Sequence, residues 1–257
     1  MEINNNKLPK RKAKKTFMSV TGYFPSKKNS RSIFFESMLE KKLFLSLEFD
    51  EDVLNYLEQP VIIEYTNKNR KTTYCPDCLI NYKNSKSKLV EVKYSSELID
   101  REDELKIKFE QATLYSNENN LIFDIFNETS IDPVELKNME FLYSFAFNIN
   151  DDEKEKYIVK TLKTSQCSTI TELLSLLSNN KFEQAKFLPS IWKLVFDNII
   201  DINEEPFLIR VISQPEILKR NISFLKNFYI SKHPYNINFH KFLDSIEDIS
   251  TRINPFN

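Results

Sequence analysis

Two carboxylates and a lysine carry the strongest chemical signal in this chain. The stretch reads Tyr74-Cys75-Pro76-Asp77-Cys78-Leu79-Ile80-Asn81-Tyr82, a polar turn over residues 83–88, then Leu89-Val90-Glu91-Val92-Lys93. Side chains alternate along a strand, so Glu91 and Lys93 share one face and Val92 turns to the other. Across a hairpin, Asp77 can lie beside that pair. Two carboxylates and an ammonium converging on one point are costly unless a cation or a reaction requires them. Such a group suits Mg²⁺-assisted phosphodiester hydrolysis, with carboxylates holding the metal (Mn²⁺ substituting) and the ammonium positioning or activating water. Val-Glu-Val-Lys alone is far more often an exposed edge strand with a solvated Glu and Lys. The Pro-Asp run ahead of it makes the pattern more specific.

The elements that must position these residues can be read outward from them. Residues 74–82 and 89–93 read as two strands of a hairpin, the first opening with Pro76. Upstream, Phe35, Leu39, Leu43, Phe44 and Leu47 fall on one face of a helix expected over residues 34–47, with Ser32 as its cap. Glu36 and Glu40 lie four apart on that helix and can approach the same point. A strand is expected at 61–65, a helix at 101–117 with Leu105, Phe109, Ala112 and Tyr115 inward, and a strand at 121–126. Together these give an α-β-β-β-α-β core. A hydrophobic helical stretch at 134–149 then leads to a boundary at Asn150-Asp151-Asp152-Glu153.

Composition excludes several classes. The 257 residues hold a single glycine, Gly22, which removes Gly-rich phosphate loops and dinucleotide fingerprints. Both histidines, His233 and His240, lie near the C-terminus, so histidine catalysis in the first half is excluded. Cys75, Cys78 and Cys167 make no disulfide framework, and one Cys-x-x-Cys on a strand has no second pair to complete a zinc site. No run approaches the ~20 apolar residues of a membrane span, and with no signal-peptide core a cytoplasmic, nucleoid-associated protein is expected. Net charge is −1 overall, yet residues 1–31 carry nine cations against Glu2. That arm is either a solvated tail or a tracker of DNA phosphates.

Six motifs now stand in order: Gly22-Tyr23-Phe24-Pro25-Ser26-Lys27-Lys28, Phe35-Glu36-Ser37-Met38-Leu39-Glu40, Leu47-Glu48-Phe49-Asp50, Glu58-Gln59-Pro60, Tyr74-Cys75-Pro76-Asp77 and Val90-Glu91-Val92-Lys93. The last two resemble the PD-(D/E)xK nuclease core. The whole series, over residues 18–130, resembles the N-terminal domain of TnsA, the endonuclease subunit of heteromeric cut-and-paste transposases. The resemblance implies Asp77, Glu91 and the helix acid Glu40 as metal ligands and Lys93 as the catalytic lysine, with Glu36 as runner-up for the helix acid. It implies transposon-end DNA as substrate, a DDE transposase partner of the TnsB kind and an AAA+ ATPase regulator of the TnsC kind. It implies, too, that this chain nicks the 5′ strand while the transposase cuts and joins the 3′ ends.

The second half reads as three helices, over 155–162, from 168 and over 182–197, followed by a hairpin of 198–203 with 207–212. Three helices and a hairpin is the winged-helix order, matching the C-terminal arrangement of TnsA-like proteins. Asp197, Asp201, Glu204 and Glu205 around the hairpin repel phosphate, so a protein partner suits it better than DNA. The expected organisation is thus a basic arm at 1–17, an α/β restriction-endonuclease-like domain with a mixed sheet at 18–150, a winged-helix-like domain at 151–213 and a helical extension at 214–257. Two other readings stand beside it. One is a stand-alone restriction or repair nuclease. The other is a nuclease fold that only binds DNA or bridges partners, against which the intact Glu40, Asp77, Glu91 and Lys93 set argues.

Overall fold

A computed structural model describes residues 20–165, 167, 169–202 and 209–211, with side chains to residue 200. The basic arm expected at 1–17, the extension at 214–257 and residues 207, 208 and 212 of the second hairpin strand, with Glu204 and Glu205 before it, lie outside the described residues. The chain divides into two units, Met1–Phe147 and Asn148–Asn257.

The first unit opens with a hairpin, β1 (Gly22–Ser26) against β2 (Arg31–Phe35). Phe34 and Phe35 therefore belong to a strand rather than to the start of a helix. Gly22 explains the pairing, because a Cβ there would sit 2.7 Å from the Phe35 ring. Helix α1 (Met38–Phe49) begins only after Ser37, whose hydroxyl, not that of Ser32, accepts from the Glu40 amide. Its apolar stripe of Leu39, Leu43, Phe44 and Leu47 is buried, and Phe44 stacks on Tyr56 at 5.5 Å.

Strand β3 (Val53–Glu58) follows, then a separate hairpin of β4 (Ile63–Asn67) and β5 (Arg70–Tyr74). β6 (Cys78–Tyr82) and β7 (Lys88–Val92) form the central hairpin. The expected single strand over 74–82 is thus broken at Pro76, which has no N–H to continue a ladder. Short helix α2 (Ser95–Asp100) and longer α3 (Glu102–Glu118) cross over to β8 (Ile122–Phe126), which lies parallel to β7. The resulting mixed sheet has the order β3-β6-β7-β8. With α1 and α3 it makes the α-β-β-β-α-β core. α4 (Pro133–Tyr143) returns to pack on α1, with Tyr143 stacked on Phe24 at 5.1 Å.

The second unit is mainly helical: α5 (Asp152–Thr164), α6 (Ile170–Leu177) and α7 (Lys181–Phe196), then β9 (Ile200–Ile202) antiparallel to β10 (Ile209–Val211). Thr169 and Glu172 form a reciprocal capping box that fixes the start of α6. Ile158, Leu162, Leu173, Leu177, Ile191, Leu194 and Ile200 make this unit's own core. Among the described residues, no helix is long and apolar enough to cross a membrane.

Candidate active site

Asp77 sits just before β6, where the ladder pairing Cys78 with Val90 sets it opposite Glu91. Its main chain is held from the other side, since its carbonyl accepts from the Gln59 amide at 2.9 Å. Gln59 occupies the left-handed region with φ 45°, a conformation that costs a non-glycine residue about 1–3 kcal/mol. One oxygen of the Asp77 carboxylate accepts from the Val92 amide at 2.8 Å. Lys93 extends the parallel ladder beyond β7 by donating its amide to the Phe126 carbonyl at 3.0 Å.

These backbone contacts bring the three side chains together. Lys93 Nζ lies 2.8 Å from Glu91 Oε1 and 3.6 Å from Asp77 Oδ2. The other Glu91 oxygen accepts from the Tyr74 hydroxyl at 2.8 Å. Glu91 is only 4% exposed, so its charge is compensated inside the protein rather than by water. Burial and the Glu91 charge push the Asp77 carboxyl well above the usual range. Lys93 pulls it back, Glu40 pushes it further up, and the Val92 amide pulls it down. Burial opposes the Lys93 charge, but Asp77 and Glu91 outweigh it and hold the ammonium's pKa above its ordinary value. Lys93 is therefore charged at neutral pH.

Glu40 stands at the edge of this group. One of its oxygens accepts from the Glu36 amide at 2.9 Å and the other from the Ser37 hydroxyl at 3.1 Å, closing the first turn of α1. Burial raises its pKa, and so does the Glu36 charge, while Lys93 lowers it. The helix acid thus reaches Asp77 and Lys93 through its field while its oxygens cap its own helix. Among the described residues, no three acidic, histidine or cysteine side chains converge closely enough to hold a metal ion. Mg²⁺ does not require three, because one or two carboxylates with water and substrate oxygens complete its shell. Asp77 and Glu91, hard oxygen donors set side by side around a shared ammonium, fit that requirement.

Tyr74, which donates to Glu91, joins the site without having been legible there from the sequence. Its position before Pro76-Asp77 was visible, but its hydrogen bond depends on β5 folding back toward β7. The remaining motifs prove to be scaffold. Glu48, 8% exposed, accepts from Ser26 Oγ at 2.6 Å, Tyr56 OH at 2.7 Å and the Lys27 and Lys28 amides at 3.1 Å. Arg31 grips Glu58 with two bonds of 2.7 and 2.5 Å. Cys78 is fully buried and Cys75 half-buried, in keeping with strand and strand-edge positions.

Two family models match the chain in succession. One, described as TnsA-like endonuclease N terminal, matches residues 50–128. The other, described as TnsA endonuclease C terminal, matches residues 130–203. The first takes in Asp77, Glu91 and Lys93 and begins after Glu40. No curated protein matches the chain.

Proposed function

The chain belongs to the TnsA endonuclease family, a transposase's nuclease subunit, and from that membership we propose that it hydrolyses the 5′ strand at each transposon end. The observation that carries this reading is Lys93 Nζ set between Asp77 and Glu91 on the α-β-β-β-α-β core. Asp77 and Glu91 would hold Mg²⁺, or Mn²⁺ in its place, and the ion would supply Lewis-acid stabilisation of charge developing on the phosphate. Lys93, its Nζ held beside Glu91 and Asp77, acts toward the phosphate and the attacking water. Tyr74 fixes the orientation of Glu91, and Glu40 deepens the negative field at the site.

A single centre of this kind breaks one strand per visit. Joining the freed 3′ end to target DNA falls to a DDE transposase partner of the TnsB kind. The second unit, three helices followed by an antiparallel pair in winged-helix order, serves an AAA+ regulator of the TnsC kind. Asp201 in β9, with Glu204 and Glu205 following in the sequence, favours a protein partner over DNA. A chain ending at residue 150 that still captured the ATPase would overturn this assignment. Strand-resolved mapping of a reconstituted reaction with Lys93→Ala tests the central proposal. The expected product is 3′ joining without 5′ release, leaving a fused cointegrate-type intermediate. Normal 5′ release by this variant would refute it.

A further inference from the structure

The β4–β5 hairpin is inserted between two strands of the central sheet yet pairs with neither. Its inner face is anchored. Ile63 and Tyr74 are buried in one cluster with Leu79, Leu89 and Ala112. Its tip is built otherwise. Lys68, Asn69, Arg70 and Lys71 are consecutive and all exposed.

Three observations separate this tip from an ordinary solvated turn. First, none of its three cations forms an ion pair among the described residues. What sets them apart is that three cations stand within four consecutive residues with no acid among them. The hairpin's one acid, Glu64, lies at the far end of β4, opposite Thr73. Second, Lys68 and Asn69 both have positive φ, 47° and 63°, as a two-residue turn requires. Asparagine tolerates that region, whereas a lysine there costs about 1–2 kcal/mol. The turn therefore holds a cation at a position where it is conformationally unfavourable. Third, the hairpin is tied to the reaction centre, because the Tyr74 hydroxyl at its base donates to Glu91 at 2.8 Å. The tip thus stands at a fixed distance from the site. Five residues of strand from Tyr74 to Asn69 span ~17 Å at about 3.4 Å each.

We infer that the Lys68–Arg70–Lys71 tip of the β4–β5 hairpin is a contact surface for the phosphate backbone of duplex DNA flanking the cleaved bond. The inference rests on the nuclease reading above. Exposed, unpaired cations match a phosphate track by charge.

The test is fluorescence anisotropy of the full chain with a labelled mixed-sequence duplex, titrated with salt. The variant is Lys68→Asn combined with Arg70→Thr and Lys71→Thr, which relieves the turn and keeps strand-forming residues. Thermal stability equal to or above that of the unsubstituted chain, with at least about tenfold weaker binding at low salt, is expected. The slope of log K against log salt should fall in magnitude by about 2–3, at about 0.9 per phosphate released. A control variant, Lys156→Thr with Lys160→Thr and Lys163→Thr on α5, removes the same charge from the second unit. An equal loss in that control, or an unchanged slope in the hairpin variant, would overturn the contact. Absence of any duplex binding by the unsubstituted chain at low salt would instead overturn the nuclease reading itself, and the contact with it.

Discussion

Replacing Asp77 by asparagine should make the protein more stable and catalytically dead. In the folded chain the Asp77 carboxyl is buried beside Glu91 and within the field of Glu40, so its pKa is raised well above the usual range. A carboxyl with a raised folded pKa binds its proton more tightly when folded. Its contribution is therefore most favourable at low pH and is lost as pH rises from the ordinary carboxylate range through the raised value. In its ionised form the buried group opposes folding. Asparagine removes that charge, keeps an oxygen to accept from the Val92 amide, and leaves Lys93 its closer partner Glu91 at 2.8 Å. Relieving a strained active-site charge commonly gains ~0.5–2 kcal/mol. At about 2–4 °C per kcal/mol for a domain of this size, the melting temperature should rise by about 1–8 °C. The assay is a thermal melt at several pH values with and without Mg²⁺, run beside a cleavage reaction. The gain should shrink as pH falls toward the ordinary carboxylate range. Mg²⁺ should stabilise the unsubstituted chain by about 2.7 kcal/mol at a hundredfold excess over its Kd, and the variant by much less. A destabilised variant at neutral pH, or equal Mg²⁺ stabilisation of both proteins, would refute the reasoning.

The other carboxylates and Tyr74 give separable outcomes. Glu40→Gln should reduce cleavage more than Glu36→Gln, because the Glu40 charge reaches both Asp77 and Lys93; the reverse order in a cleavage assay would place the helix acid one turn earlier. Glu40→Ala should in addition cost about 0.5–2 kcal/mol in denaturant melts, through loss of the turn it closes around Ser37. Tyr74→Phe keeps the buried ring but removes the donor to Glu91, and should weaken Mn²⁺ binding by about 10–100-fold in calorimetry. Unchanged Mn²⁺ affinity in that variant would mean that the hydroxyl serves the fold alone.

The sequence revealed what alternation fixes and concealed what folding back creates. Glu91 and Lys93 were legible because strand period alone puts them on one face, and Asp77 because its run pairs with theirs. The order of the second unit was legible too, since Thr169 and Glu172 mark a helix start by local chemistry. The stretch over residues 31–37 was not. Its paired phenylalanines satisfy a helical face and a strand equally, and only the close approach of Phe35 to Gly22 decides for the strand. Glu40 shows a subtler ambiguity: a glutamate three residues after Ser37 is both a capping-box partner and an acid within reach of the site. The structure gives its oxygens to the cap and its field to the site.

The three motifs without chemistry of their own explain how the site stays in place. Glu48 binds the tip of the β1–β2 hairpin to the end of α1 through four donors, among them Ser26 and Tyr56. That hairpin carries Arg31, whose guanidinium neutralises Glu58, a carboxylate only 4% exposed at the end of β3. Gln59, next along the chain, holds the main chain of Asp77 from a strained conformation. Such strain persists only where the surroundings over-determine it, and the Glu48 and Arg31–Glu58 contacts provide that determination. Residues far from Asp77 in sequence therefore fix the direction in which its carboxylate leaves the backbone.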